Sequence, residues 1–228
     1  MIKLDIMRAS KLFYNLTDEE YQKVIDIIKP RLSKLSSNEI LFDEHDEINY
    51  LWIVKNGKLQ SARIQYDGTY QLNLLYSRGG IIGIDIANTR TRISPYHVSV
   101  TETAELYQIP YTIISNEEIP NQLREKISSN VIRILANNLI KRQFKIDILH
   151  KKSVRTRISM FLKFVSEKKE SLIFDIDMDR EQFAQYLGVN RSVLSHELSR
   201  MRTEGIMNFH KGHFEILEMN ILKDESEE

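Results

Sequence analysis

The spacing of apolar positions changes character three times along the chain. Near the start, Thr17-Asp18-Glu19-Glu20 precedes Tyr21, Val24, Ile25, Ile27 and Ile28. Thr17 as N-cap with Glu20 three residues later is a capping box, so a short helix is expected to end just before Pro30. From Glu39 to about Tyr107 the pattern becomes short β-rich runs broken by turn signals. Asn56-Gly57 separates Leu51–Val54 from Lys58–Gln65, and Asp67-Gly68 separates the latter from Thr69–Tyr76. Both dipeptides tolerate the positive φ of two-residue hairpin turns, so two hairpins are expected. Gly79-Gly80 and Gly83 break the next run, and His97–Val100 with Glu105–Ile109 complete the series. Short antiparallel strands at this spacing predict a barrel, roll or sandwich.

After Pro120 the period becomes helical. Residues 121–149 contain no Gly or Pro, and Ile132, Leu135, Leu139, Arg142, Ile146 and Leu149 recur in alternating steps of three and four. That is a heptad-like seam, with Arg142 as its one polar member. Leu123, Ile127, Val131 and Ile134 mark a second face. At 1.5 Å per residue such a helix spans about 43 Å. One face can pack on the β-rich part and the other on a second copy of the chain; the plainer alternative is that both are buried within one chain. Lys151-Lys152-Ser153 follows as a junction, and Ser153 can cap a helix carrying Ile158, Phe161, Leu162 and Val165. Glu167–Glu170 reads as a charged loop, then two apolar helices and a terminal hairpin follow, and Lys223–Glu228 reads as a frayed acidic tail.

The segment from Asp179 to Arg202 carries the most specific pattern. Asp179 can cap a first helix with Phe183, Ala184 and Leu187 on its apolar face; Gly188 provides the turn. Asn190 can cap a second helix whose inner face is Val193, Leu194, Leu198 and Met201. This spacing predicts a helix-turn-helix. The outward face of the second helix is Arg191, Ser192, Ser195, His196 and Ser199, polar and mostly short. Such a face enters a major groove, where an Arg near the helix start can bond guanine O6 and N7 together. Arg191, Ser192, Ser195 and His196 are the candidate base readers. Arg180, Asn190, Arg200 and Arg202 are candidate phosphate contacts, joined by His210 and Lys211 at the tip of a hairpin spanning Asn208–His213.

Composition adjusts this reading in two places. The 228 residues hold 32 Lys+Arg and 32 Asp+Glu, a net charge of zero, which speaks against a nucleic-acid binder until it is resolved by region. Residues 117–152 carry 8 basic and 4 acidic side chains, whereas 153–222 balance at 10 and 10. Within 153–222 the carboxylates lie largely outside the predicted contact face, Glu197 excepted. There is no cysteine, which excludes disulfides, a thiol nucleophile, thiolate zinc sites and cysteine-held iron–sulfur clusters. No signal-peptide core or membrane span appears, so a cytoplasmic protein without a membrane partner is expected. Asp43, Glu44, His45, Asp46 and Glu47 cluster between strands and read as a solvated loop rather than a metal site. No nucleophile–base pair or phosphate loop stands out, so no catalytic residue, metal or cofactor is assigned and an enzyme is not expected.

The order of these parts resembles the CRP/FNR superfamily of bacterial transcription regulators. The resemblance rests on Glu39–Phe42 with Tyr50–Leu59, on Gly83, and most specifically on Leu187–Leu198. It implies an α+β fold: an N-terminal antiparallel β-roll (a cupin-like double-stranded β-helix) with flanking helices, a long dimerisation helix, and a C-terminal winged helix-turn-helix. The corresponding segments are 1–116, 117–152 and 153–228. It further implies a homodimer on double-stranded DNA at a near-palindromic operator, with RNA polymerase as a partner. Ile132, Leu135, Leu139, Ile146 and Leu149 would form the dimer interface. Cyclic-nucleotide binders of the family follow a Gly-Glu pair with an Arg-Ser or Arg-Thr pair. Here Ile84 follows Gly83, and Ile93-Ser-Pro-Tyr-His97 stands where the Arg pair belongs, so a cyclic nucleotide is not the expected effector. An unidentified small molecule remains open, with Tyr66, Tyr76, Gly83, Ile84, Arg90, Arg92 and Leu123 as candidate lining. The same aromatics and aliphatics also read as plain core. The competing function is a ligand-binding regulator whose helix-turn-helix serves a protein contact.

Overall fold

The computed structural model describes residues 6–64 and 70–227. Contacts divide the chain into two compact units, Met1–Leu139 and Ile140–Glu228. In the first, the capping box forms as the sequence predicts: Thr17 Oγ1 accepts from the Glu20 backbone N–H, and Glu20 accepts from the Thr17 N–H at 2.9 Å. Helix α1 (Asp18–Ile28) follows and ends at Lys29, whose φ of 44° turns the chain into Pro30. Strands β1 (Arg31–Leu35), β2 (Ile40–Phe42), β3 (Tyr50–Ile64), β4 (Tyr70–Tyr76) and β5 (Ile81–Ile82) precede a short helix α2 (Ile84–Ala87) and strand β6 (His97–Pro110). All pairings are antiparallel, in the order β1-β6-β3-β4, with β2 on β6 and β5 on β3.

One expected hairpin is absent. Asn56-Gly57 lies inside the continuous strand β3, where the β3–β6 register shifts at three successive places. Gly57 adopts φ of 81°, and a Cβ there would fall 2.3 Å from the Thr103 carbonyl oxygen. Asn56 replaces the interrupted ladder with its side chain, donating to Glu105 Oε2 and accepting from the Glu105 N–H, both at 3.0 Å. A positive-φ glycine serves a bulge as well as a turn, and here it accompanies the register shifts of β3 against β6. The second expected hairpin is consistent with the pairing of β3 and β4 from Leu59–Tyr76 to Ile64–Tyr70, while Asp67-Gly68 lies outside the described residues. His97–Val100 and Glu105–Ile109 are likewise parts of one strand.

Helix α3 runs from Asn121 to His150, and the division between the units falls within it. Leu123, Ile127, Val131 and Ile134 are buried with Leu12, Phe13, Val24, Ile53, Leu59 and Leu106, as the second apolar face requires. Buried Asn130 donates to the carbonyls of Leu12 and Tyr14 at 3.1 and 2.8 Å, so its amide is satisfied inside the core.

The second unit continues with α4 (Val154–Lys169), β7 (Ile173–Asp175), α5 (Arg180–Tyr186), α6 (Arg191–Thr203), β8 (Met207–His210), β9 (His213–Ile216) and α7 (Met219–Glu227). Ser153 caps α4 as expected, accepting from the Thr156 N–H at 2.9 Å. Two expectations are corrected. Glu167–Lys169 is the last turn of α4 rather than a loop, closed by Glu170 at φ of 51°, because Glu and Lys are good helix formers on a solvated face. The acidic tail is helical through Glu227, since Leu222 is fully buried and Glu225 finds a guanidinium partner. Strand β7 was not legible in advance; it joins the hairpin in a sheet ordered β7-β9-β8.

Candidate nucleic-acid interface

Helix α5 starts with a second capping box: Asp179 accepts from the Gln182 N–H at 2.8 Å and Gln182 from the Asp179 N–H at 3.0 Å. Phe183 and Ala184 are buried, and Phe183 packs edge-on to Phe214. The chain reverses at Gly188, φ 65°, where a Cβ would lie 2.9 Å from Leu149 Cδ2. Arg157 sutures the turn by donating to the carbonyls of Leu187 (2.9 Å) and Lys151 (2.8 Å). Helix α6 follows with Leu194, Leu198 and Met201 fully buried.

Two details of α6 differ from expectation. Asn190 stands at the N-cap position, yet its side chain makes no capping bond, which leaves the amide available at the helix start. Val193 is 44% exposed and does not belong to the inner face. The inner stripe steps from Leu194 to Leu198 to Met201, and Val193 falls one residue, about 100°, off it. Arg191, Ser192, His196 and Ser199 are exposed and Ser195 is half-buried. Ser199 donates to the Ser195 carbonyl at 2.8 Å. A groove of about 600 Å³ borders this face, lined by Ser153, Val154, Arg155, Ser192, Val193, His196, Glu197 and Arg200.

The candidate phosphate contacts divide into two sets. Arg180 and Arg202 flank one ring, their guanidinium carbons 4.9 and 5.1 Å from the centroid of Phe209 on β8. Arg180 also donates to the Lys211 carbonyl at 3.0 Å. Burial, and then the nearby charge of Arg191, lower the Arg180 pKa from its ordinary value; an arginine nonetheless stays charged. The wing turn carries His210, Lys211 (φ 53°) and Gly212 between β8 and β9. His213 pairs with Asp175 at 2.9 Å, tying the hairpin to β7. Arg200, by contrast, is held by Glu197 at 3.3 Å and Glu204 at 3.8 Å, so a phosphate there competes with two carboxylates.

Phe209, Arg155 and Arg157 are the residues that sequence reasoning missed. Phe209 reads as an ordinary strand aromatic; its role as a plate for two arginines exists only once the hairpin folds beside α5 and α6. Arg155 reads as a polar residue in a helix first turn, but its guanidinium meets Glu197 (3.2 Å), Glu204 and Glu225 (2.7 Å). These carboxylates hold its pKa above the ordinary arginine value.

In the first unit the candidate effector residues scatter. Tyr76, Ile84 and Leu123 belong to the hydrophobic core, and Gly83 caps α2 at φ 80°. Arg92 pairs with Glu47 and lies 4.4 Å over the ring of Tyr111, while Arg90 is exposed. Tyr66 lies outside the described residues. In the stretch expected to hold a phosphate-binding pair, buried Ser94 donates to the Tyr96 carbonyl, and Tyr96 donates to Asp85 at 2.9 and 3.0 Å. Among the described residues no group of three or more His, Cys, Asp or Glu side chains is placed to hold a metal ion. No helix among them is long and apolar enough to cross a membrane.

On α3 the seam residues differ in environment. Ile132 and Leu139 are 67% and 68% exposed, and Ile146 is 45% exposed. Leu135 is half-buried against the first core, and Leu149 is half-buried beside Gly188.

Comparison with known proteins agrees with both halves. Residues 32–116 match the cyclic nucleotide-binding domain family and residues 156–225 the Crp-like helix-turn-helix domain family. The chain is 24% identical over 218 residues to electron transport regulator A of Shewanella oneidensis, covering 92% of this chain and 84% of that protein. It is 25% identical over 215 residues to the fumarate and nitrate reduction regulatory protein of Yersinia pestis, covering 91% and 82%. A solved structure of a CooA mutant from Carboxydothermus hydrogenoformans superposes with a TM-score of 0.73 at 18% identity, over 95% of this chain and 99% of that one. With both domain families matched in this chain, and regulatory proteins aligned over more than nine-tenths of it, the chain belongs to the CRP/FNR superfamily of DNA-binding transcription regulators.

Proposed function

We propose that the chain works as a homodimer that reads a near-palindromic operator with helix α6 of each copy. The observation that carries this reading is the two-faced build of α6: Leu194, Leu198 and Met201 are buried, while Arg191, Ser192 and His196 are exposed beside the Arg180–Phe209–Arg202 cluster. Arg191, Ser192, Ser195 and His196 read base edges; Arg180, Asn190, Arg202, His210 and Lys211 hold phosphates, with Arg200 a weaker contributor. Dimerisation is supported by Ile132, Leu139 and Ile146, three exposed aliphatics spaced seven apart on one helix. Two heads on such a dimer read half-sites about 34 Å apart. Bound at an operator in the cytoplasm, the dimer acts on RNA polymerase.

The effector, where one acts, is not a cyclic nucleotide. The site a cyclic phosphate needs presents buried Ile84, the Asp85 carboxylate and no cation between Ile93 and His97. The Ile84 side chain offers no acceptor for a ribose hydroxyl, and the Arg63 guanidinium beside that stretch already donates to the Pro95 carbonyl at 3.1 Å. Calorimetric titration with cyclic AMP and cyclic GMP is expected to give no heat of binding.

The central test is retention of genomic DNA fragments by purified protein at several salt concentrations. Salt-sensitive, sequence-selective retention with paired footprints one helical turn apart is the expected result. Absence of any retention would favour a protein-contact role for the helix-turn-helix.

A further inference from the structure

We infer that Arg155 is a positioning residue for DNA reading: it sets the orientation of the recognition helix by gripping Glu197 and the C-cap residue Glu204 and tying them to α7. The inference rests on the DNA-reading role proposed for α6. Arg155 sits in the first turn of α4. Its Nη1 donates to Glu197 and to Glu204, each at 3.2 Å, its Nη2 to Glu204, and its Nε to Glu225 at 2.7 Å. Ser159, also on α4, donates to the other oxygen of Glu225 at 2.8 Å.

Three features separate this cluster from an ordinary surface ion pair. First, three of its four side chains are withdrawn from water: Arg155, Glu197 and Glu225 are 22%, 13% and 17% exposed, while Glu204 is 41% exposed. Charge-assisted bonds in such surroundings are stronger than exposed ones, and losing the cation leaves carboxylates facing one another. Second, one guanidinium holds α6 at Glu197, within the helix, and at Glu204, its C-cap residue seven positions on. Two anchors on one helix resist both rotation about its axis and sliding along it, which are the motions that displace Arg191, Ser192 and His196 from base edges. Third, every nitrogen of the guanidinium already faces a carboxylate of the same chain. Although Arg155 borders the groove beside α6, its donors point inward to Glu197, Glu204 and Glu225. The C-terminal helix thereby becomes part of the reading device, since Glu225 holds the end of the guanidinium that α6 does not.

The test measures binding of the full chain to a selected operator and to a scrambled duplex by fluorescence anisotropy, at several salt concentrations and below the melting temperature. The variants are Arg155→Gln, Arg155→Lys and Glu225→Gln. Arg155→Gln is expected to weaken operator binding about 10- to 100-fold while leaving scrambled-duplex affinity and the salt slope unchanged. Glu225→Gln, which leaves Arg155 in place and alters a carboxylate held by Arg155 and Ser159, is expected to lose roughly 3- to 10-fold on the operator alone, with Arg155→Lys in between. Equal loss on both duplexes with a shallower salt slope would make Arg155 a phosphate contact and overturn the inference. So would unchanged operator affinity in all three variants. If Arg155→Gln does not fold, the other two decide by the same operator-to-scrambled ratio. Wild-type protein that binds neither duplex would overturn the DNA-reading role itself, a result distinct from either of these.

Discussion

Arg191 and Arg200 lie on the same helix in different electrostatic surroundings. Arg191 opens α6, exposed, with no carboxylate within ion-pair distance among the described residues, and its charge is felt at Arg180. Arg200 is bracketed by Glu197 and Glu204. Arg191→Ala is therefore expected to relax discrimination at one base pair per half-site by about 1–3 kcal/mol, measured by competition among single-base operator variants. Uniform weakening across all variants would instead make Arg191 a phosphate contact. Lys145, on α3 in the second unit, offers a separate test. Its ammonium lies 5.0 Å from the ring of Tyr186, and burial lowers its pKa to about 8. An unfolded lysine titrates near 10.4, so between about pH 8 and pH 10 the unfolded chain holds the extra proton. Stability contributed at this position consequently rises with pH across that window. Burial also raises the Tyr186 pKa to about 12, which opposes the trend only above pH 10. Melting curves of the wild type and Lys145→Met at pH 7.5 and 9.5 should show the wild type gaining relative to the variant. A constant difference would show that the buried ammonium is not the titrating group.

At the scale of elements, α3 separates what packs inside from what is left outside. Ile127 is fully buried and Leu139 is 68% exposed, on the same helix. Ile127→Ala is expected to cost about 2–5 kcal/mol of stability, as a cavity in the core. Leu139→Glu opens no cavity; it is expected to leave the melting temperature of dilute protein nearly unchanged and to shift sedimentation from dimer to monomer. A persistent dimer would exclude this stripe as the interface. Elements of this kind were legible because their signals are local. Thr17 with Glu20, Asp179 with Gln182, and Ser153 sit within three residues of the groups they cap, and the buried stripe of α3 follows from helical spacing. Asn56-Gly57 misled because the same positive φ serves a hairpin or a bulge, and only Thr103 and Ala104, far along the chain, decide which. Strand β7 has three residues, one of them buried, too few for a period. The helicity of the acidic tail depends on Arg155, some 70 residues earlier, and the Phe209 plate on arginines from two other helices.

For the whole molecule, the balance of 32 basic and 32 acidic residues turns into a statement about salt. Counterion release counts phosphates that are neutralised, so only cations not already paired within the chain contribute fully. Among the described residues of the DNA-reading unit, Arg180, Arg191, Arg202 and Lys211 have no carboxylate at ion-pair distance, whereas Arg155 and Arg200 do. On the proposed assignment, with Arg191 on bases, each protomer would neutralise roughly three phosphates and a dimer roughly six, giving an expected slope of log affinity against log salt near −5. A single head would give about half that slope. If Arg202 holds a phosphate as proposed, Arg202→Ala removes one contact from each protomer, and the dimer slope should become shallower by about 2 while base preference is retained. A wild-type slope near −10 would mean that cations outside the second unit, such as those of α3 and the Lys151-Lys152 junction, also reach the DNA. A slope near −5 places the electrostatic footprint on the two heads, with selectivity carried by the exposed face of α6 and by both heads binding together.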